Sequence, residues 1–220
     1  MADHMIKMNE VPKGQKYQQF KDYYRIPVIS GLIILVFAVS ILKTTVFKPK
    51  PDASILLAAS RDVSQDFITL FESFFAQTGL DFNGDGKCLM ELNPVTYNEA
   101  TMKTDPNMGM AMQAKLMGSL STAESIIQIV DDYMYDYLDG QEIIGTYADL
   151  GDENVFGKAP EEKLKIPLTE VAFFSRSEFS GMLDGYYLTV RPKAASQLGD
   201  NAKKIAAYEN QIKTLVTLCK

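Results

Sequence analysis

The chain has 220 residues, 46% of them hydrophobic and 23% charged, an ordinary globular composition with room for one domain and one further segment. Its net charge of −6 is unevenly placed: residues 1–50 carry eight Lys or Arg against three acids, and residues 51–220 carry 14 against 25. That acidic excess repels a phosphate backbone and argues against DNA or RNA as a partner, while two distant cysteines, Cys88 and Cys219, provide neither a zinc spacing nor a disulfide scaffold.

Between Arg25 and Lys43 lie 17 uncharged, mostly apolar residues, IPVISGLIILVFAVSIL. If Lys43 turns its ammonium outward, the run continues to Phe47 and reaches about 33 Å as a helix, enough to cross a bilayer with some tilt. Tyr17, Phe20, Tyr23 and Tyr24 precede it among several lysines, a pattern that favours a cytoplasmic N-terminus. The resulting expectation is a cytoplasmic segment over 1–25, a transmembrane helix over 26–47, a linker over 48–53 and an extracytoplasmic domain over 54–220. This single-pass cell-membrane placement makes the lipid bilayer a partner. The rivals are a leader cleaved near Ala38-Val39-Ser40 and a helix buried in a folded core.

Ser54 to Ser60, SILLAAS, reads as a short buried strand. Asp62 with Gln65 makes a capping box for a helix on which Val63, Phe67, Leu70, Phe71, Phe74 and Phe75 recur at helical spacing until Gly79. After the turn DFNGDGK comes a second strand, Cys88 to Leu92, ended by Asn93-Pro94. Asp105-Pro106 starts a long helix whose stripe is Met108, Met112, Leu116 and Leu120, and Ser125 to Val130 is a third strand. Lys165 to Phe174 and Tyr186 to Arg191 are strand-like, and Ala202 to Leu218 closes the chain as an amphipathic helix. Strands alternating with helices, then extended segments and a helix, predict one three-layer-like α/β domain with a mixed sheet.

The segment AKLMGSLSTAESIIQIVDDYMYDYLDGQEIIGTYADL, together with the order strand, helix, strand, Met-rich helix, strand ending in Asp, resembles the first lobe of the type 2 periplasmic solute-binding proteins. The likeness covers roughly residues 55 to 150 and implies the topology of a single such lobe. KTTVFKPKPD, DFNGDGK and GYYLTVRPK also resemble recurring segments of uncharacterised single-span bacterial membrane proteins.

The strongest local motif is DFNGDGK, residues 81–87, which matches the first half of a calcium loop. Asp81, Asn83 and Asp85 stand at positions 1, 3 and 5, the Lys87 carbonyl at position 7, and Glu91 is the nearest later acid. The bland alternative is a helix-to-strand turn that uses Asn-Gly and Asp-Gly for left-handed backbone. In an α/β sheet ligands gather beyond the carboxyl ends of strands, which nominates Ser60, Arg61, Asn93, Asp131 and Asp132 as ligand-binding residues. Their alternative is capping and solvated turns. No catalytic residue is assigned, since the only histidine, His4, precedes the apolar run and GxSxG, SxxK, Walker A and GxGxxG are all lacking. Three functions follow: a membrane-anchored ligand-sensing or protein-interaction module, an accessory subunit of a transporter or secretion complex, and a surface hydrolase using the acids near Asp131.

Overall fold

The computed structural model describes residues 12, 14, 17, 21, 25–45, 51–122, 125–153 and 156–220. It divides into two units, Met1–Pro49 and Lys50–Lys220. In the first, helix α1 spans Arg25–Thr45. Large apolar side chains on it, among them Ile26, Leu32, Leu35 and Phe37, are exposed.

Among the described residues no helix is long and apolar enough to cross a membrane. Within α1 the uncharged run between Arg25 and Lys43 is 17 residues, about 25 Å of rise, short of a hydrocarbon core of about 30 Å. Val46 and Phe47, on which the longer span depended, lie outside the described residues. The expected transmembrane helix over 26–47 is corrected accordingly, and with it the single-pass cell-membrane placement and its cytoplasmic and extracytoplasmic sides. His4, Phe20, Tyr23, Tyr24 and residues 48–50 of the expected linker also lie outside the described residues.

The second unit is an α/β domain with a five-stranded mixed sheet in the order β2-β1-β3-β5-β4. Strand β1 (Ala53–Ala59) lies parallel to β2 (Met90–Thr96) and to β3 (Ile127–Asp131). Strand β5 (Tyr186–Val190) is antiparallel to β3 and to the two-residue β4 (Ile166–Pro167). Because β1 is buried on both faces, its sequence is apolar at nearly every position rather than alternating.

One face of the sheet, through Ile55 and Leu57, packs on α2 (Gln65–Phe75), on α6 (Ala202–Cys219) and on three single 3-10 turns between Leu168 and Phe179. Phe67, Phe71, Phe173, Phe174 and Phe179 meet here, with ring centroids of 5.0 Å for Phe174–Phe179 and 5.2 Å for Phe71–Phe173. Truncating Phe71 to Ala in this cluster would cost about 3–5 kcal/mol. The other face, through Leu56 and Ala58, packs on α4 (Pro106–Thr122) and α5 (Asp132–Asp139), with the short α3 (Glu99–Thr104) leading in.

Several local expectations change. The second strand does not stop at Asn93-Pro94: Pro94 pairs with Leu57, which an edge strand tolerates because one row of its N–H groups has no ladder partner. The cap of α2 is Ser64, whose Oγ accepts from the Asp66 N–H, while Asp62 instead accepts from the Thr96 hydroxyl. Residues 165–174 contain only two strand residues, and their apolar run enters the phenylalanine cluster as 3-10 turns. On α4, Leu116 and Leu120 are buried, but Met108 is exposed.

Candidate functional site

The connections from β1 to β2 and from β2 to β3 place those strands on opposite sides of β1, so the carboxyl ends of β1 and β3 form a topological switch point. Ser60 follows β1 and Asp131 ends β3. One Asp131 oxygen accepts from both the Ser60 N–H and the Ser60 hydroxyl, each at 2.6 Å. Its other oxygen accepts from the Met134 N–H at 2.9 Å and caps α5. Asp131 thus staples two strand ends and a helix start, with backbone as its remaining contact rather than a second acid or base.

The neighbouring residues are spent in the same way. Arg61 donates from Nη2 to the Asp184 carbonyl at 2.7 Å and from Nε to the Tyr186 hydroxyl at 3.3 Å, with its guanidinium 4.8 Å from that ring. The carbonyl is presented by the Asp184-Gly185 turn, where Gly185 has φ of 76°, a left-handed conformation suited to glycine. Asp132 accepts from Lys165 at 2.9 Å and from the Tyr187 hydroxyl at 3.3 Å. The Lys165 hydrogen bond, chiefly, holds the Asp132 carboxyl below the usual range. Lys165 also lies 4.4 Å from the Tyr135 ring centroid and 4.1 Å from that of Tyr187. Burial, with a hydrogen bond to Glu99, pushes the Tyr133 hydroxyl up to about 12.

Ser60, Arg61, Asp131 and Asp132 therefore gather at one end of the sheet, and Asn93 does not join them. It lies in the middle of β2 opposite Leu56, and its Nδ2 donates to Ser54 Oγ at 3.1 Å, toward the amino end. Asp131 and Asp132 take different partners and do not form a carboxylate pair.

In the 81–87 turn the acidic side chains fold back on their own backbone. Asp81 accepts from the N–H groups of Gly84 and Gly86, Asn83 from that of Asp85, and Asp85 from that of Lys87. Asp52 braces the turn from outside, accepting from the N–H groups of Phe82, Asn83 and Leu89 at 2.8, 3.1 and 2.9 Å. Among the described residues no group of three or more His, Cys, Asp or Glu is placed to hold a metal ion. Glu91, in particular, faces a groove at the amino end of the sheet.

That groove, of about 720 Å³, runs between the start of β1, the 81–83 turn and the first half of α6. A second depression of about 330 Å³ adjoins it and shares Glu91 and Thr122. The floor is polar: Ser54 Oγ and Ser125 Oγ are 2.8 Å apart, with Asn93 donating to Ser54. Gln211 on α6 accepts from the Ile126 N–H at 3.0 Å and fixes the helix against the start of β3. Nearby, buried Arg191 donates to the carbonyls of Ala195 and Leu120, the latter in the last turn of α4, where a cation is favoured. Burial lowers its pKa.

Asp52, Ser54, Ser125, Gln211 and Arg191 carry no sequence signal of a site. Asp52 falls in a proline-rich segment, and the others are single polar residues at element ends. Compared with known proteins, the chain matches no family model, no curated protein and no solved structure.

Proposed function

We propose that residues 51–220 form a non-catalytic binding module that senses a small solute through the groove at the amino end of its sheet. The observation that carries this reading is the contrast between the two ends. At the carboxyl end Ser60, Arg61, Asp131 and Asp132 are consumed by internal bonds. Along the groove, among the described residues, the Glu91 carboxylate and the Asn210 side-chain amide have no protein partner, and both line a concavity of small-ligand size. The resemblance of residues 55–150 to the first lobe of type 2 periplasmic solute-binding proteins is one of architecture and assigns no ligand.

A thermal-shift screen of the full chain against neutral, cationic and anionic small molecules tests it, run beside a hydrolase substrate screen. The reading expects at least one compound to raise the unfolding temperature, with no turnover. Turnover abolished by Asp131→Asn in protein whose circular dichroism shows it still folded would instead establish a surface hydrolase.

A further inference from the structure

We infer that the solute is a small, uncharged, polyhydroxylated molecule of mono- or disaccharide size, an assignment that rests on the binding-module reading above. The groove and its adjoining depression, about 720 and 330 Å³, match the volumes of small-molecule sites. The chain Asn93–Ser54–Ser125 links them, with Ser54 lining the groove and Asn93 and the 5% exposed Ser125 lining the depression. Either serine can be the donor in the 2.8 Å contact, so the chain can offer a ligand a proton or a lone pair by turning its hydroxyls.

The walls carry the same mixture. Glu91 accepts, Lys115 and Lys204 donate, and Asn210 does both. A ligand hydroxyl, itself donor and acceptor, can pair with each of these polar groups.

Other chemistries fit less well. An anion would meet Glu91 and the Asp52 carboxylate in a domain already carrying a large acidic excess. A cation would face Lys115 and Lys204. An apolar molecule would cover the serine and asparagine groups without replacing their hydrogen bonds to water. Phe82 and Leu198 supply the apolar wall against which the C–H face of a sugar ring can lie.

The test is calorimetric titration of the full chain with glucose, galactose, N-acetylglucosamine and maltose, and separately with alanine, putrescine and inorganic phosphate. Saturable binding of at least one sugar is expected, weakened about tenfold by Ser54→Ala, as loss of one hydrogen-bonding site implies. Glu91→Gln, at an exposed position, provides a second variant if Ser54→Ala does not fold, and Lys103→Gln, away from the groove, leaves binding unchanged. Sugar binding indifferent to both groove variants overturns the assignment. Binding of alanine, putrescine or phosphate alone, lost in Glu91→Gln, overturns the ligand class and leaves the module standing. No binding by any probe overturns the ligand class, and absence of any hit in the wider screen removes the module as well.

Discussion

Replacing Asp131 by Ala separates a structural acid from a functional one. The side chain is 7% exposed and accepts three hydrogen bonds, two from Ser60 and one from the Met134 N–H. Hydrogen bonds to a charged group contribute about 1.5–3 kcal/mol each, and loss of a helix cap costs about 1 kcal/mol. These bonds share one carboxylate and are not additive, so the expected loss is about 3–5 kcal/mol. That is a large part of the 5–15 kcal/mol typical of a domain. Asp131→Asn retains one acceptor oxygen but turns an N–H₂ toward one of its donors, for an expected loss of about 2–3 kcal/mol. Urea unfolding of the full chain followed by circular dichroism gives the values, and a double-mutant cycle with Ser60→Ala isolates the coupling. A loss below about 1 kcal/mol for Asp131→Ala, together with loss of ligand binding or turnover, would refute the structural assignment.

Asp52→Ala frees the N–H groups of Phe82, Asn83 and Leu89 and is expected to destabilise the domain by about 2–3 kcal/mol. Hydrogen exchange at those three amides should accelerate ahead of that at the amides of β2. Burial pushes the Cys219 thiol up to about 12, so native Cys219 should resist alkylation at pH 8 while the unfolded chain reacts, as mass spectrometry of labelled peptides would read out. The same raised value stabilises the fold below the unfolded thiol's pKa of about 9, and this contribution disappears as pH rises toward 12. Asp132 has the opposite sign. Its lowered carboxyl stabilises the fold above the ordinary value of 3.8 and loses that effect as pH falls through the folded value, so Asp132→Asn should flatten the acid limb of a stability–pH curve.

The elements legible in the sequence were those whose burial imposes a pattern. SILLAAS read as a buried strand because it is apolar on both faces, and the phenylalanine spacing of residues 67–75 left one helical face for the core. Residues 165–174 misread because an apolar run dipping into a core by 3-10 turns has the same composition as a strand. Asn93-Pro94 misread because edge position, which makes proline harmless, depends on sheet order rather than on the local sequence. The switch point was legible for Ser60, Arg61, Asp131 and Asp132, since it follows from strand ends alone. What those residues do there was not, because Asp184, Tyr186 and Lys165 arrive from distant chain positions. The groove left no trace for the same reason: its floor joins residues 54, 93 and 125.

Backbone amide mapping by NMR, on the isotope-labelled full chain titrated with a compound that raises its unfolding temperature, tests the central claim most directly. Perturbations should concentrate at Ser54, Glu91, Ser125 and Gln211, with Ser60, Arg61 and Asp131 undisturbed. Changes centred on those last three residues, with the amino-end groove silent, would contradict the account.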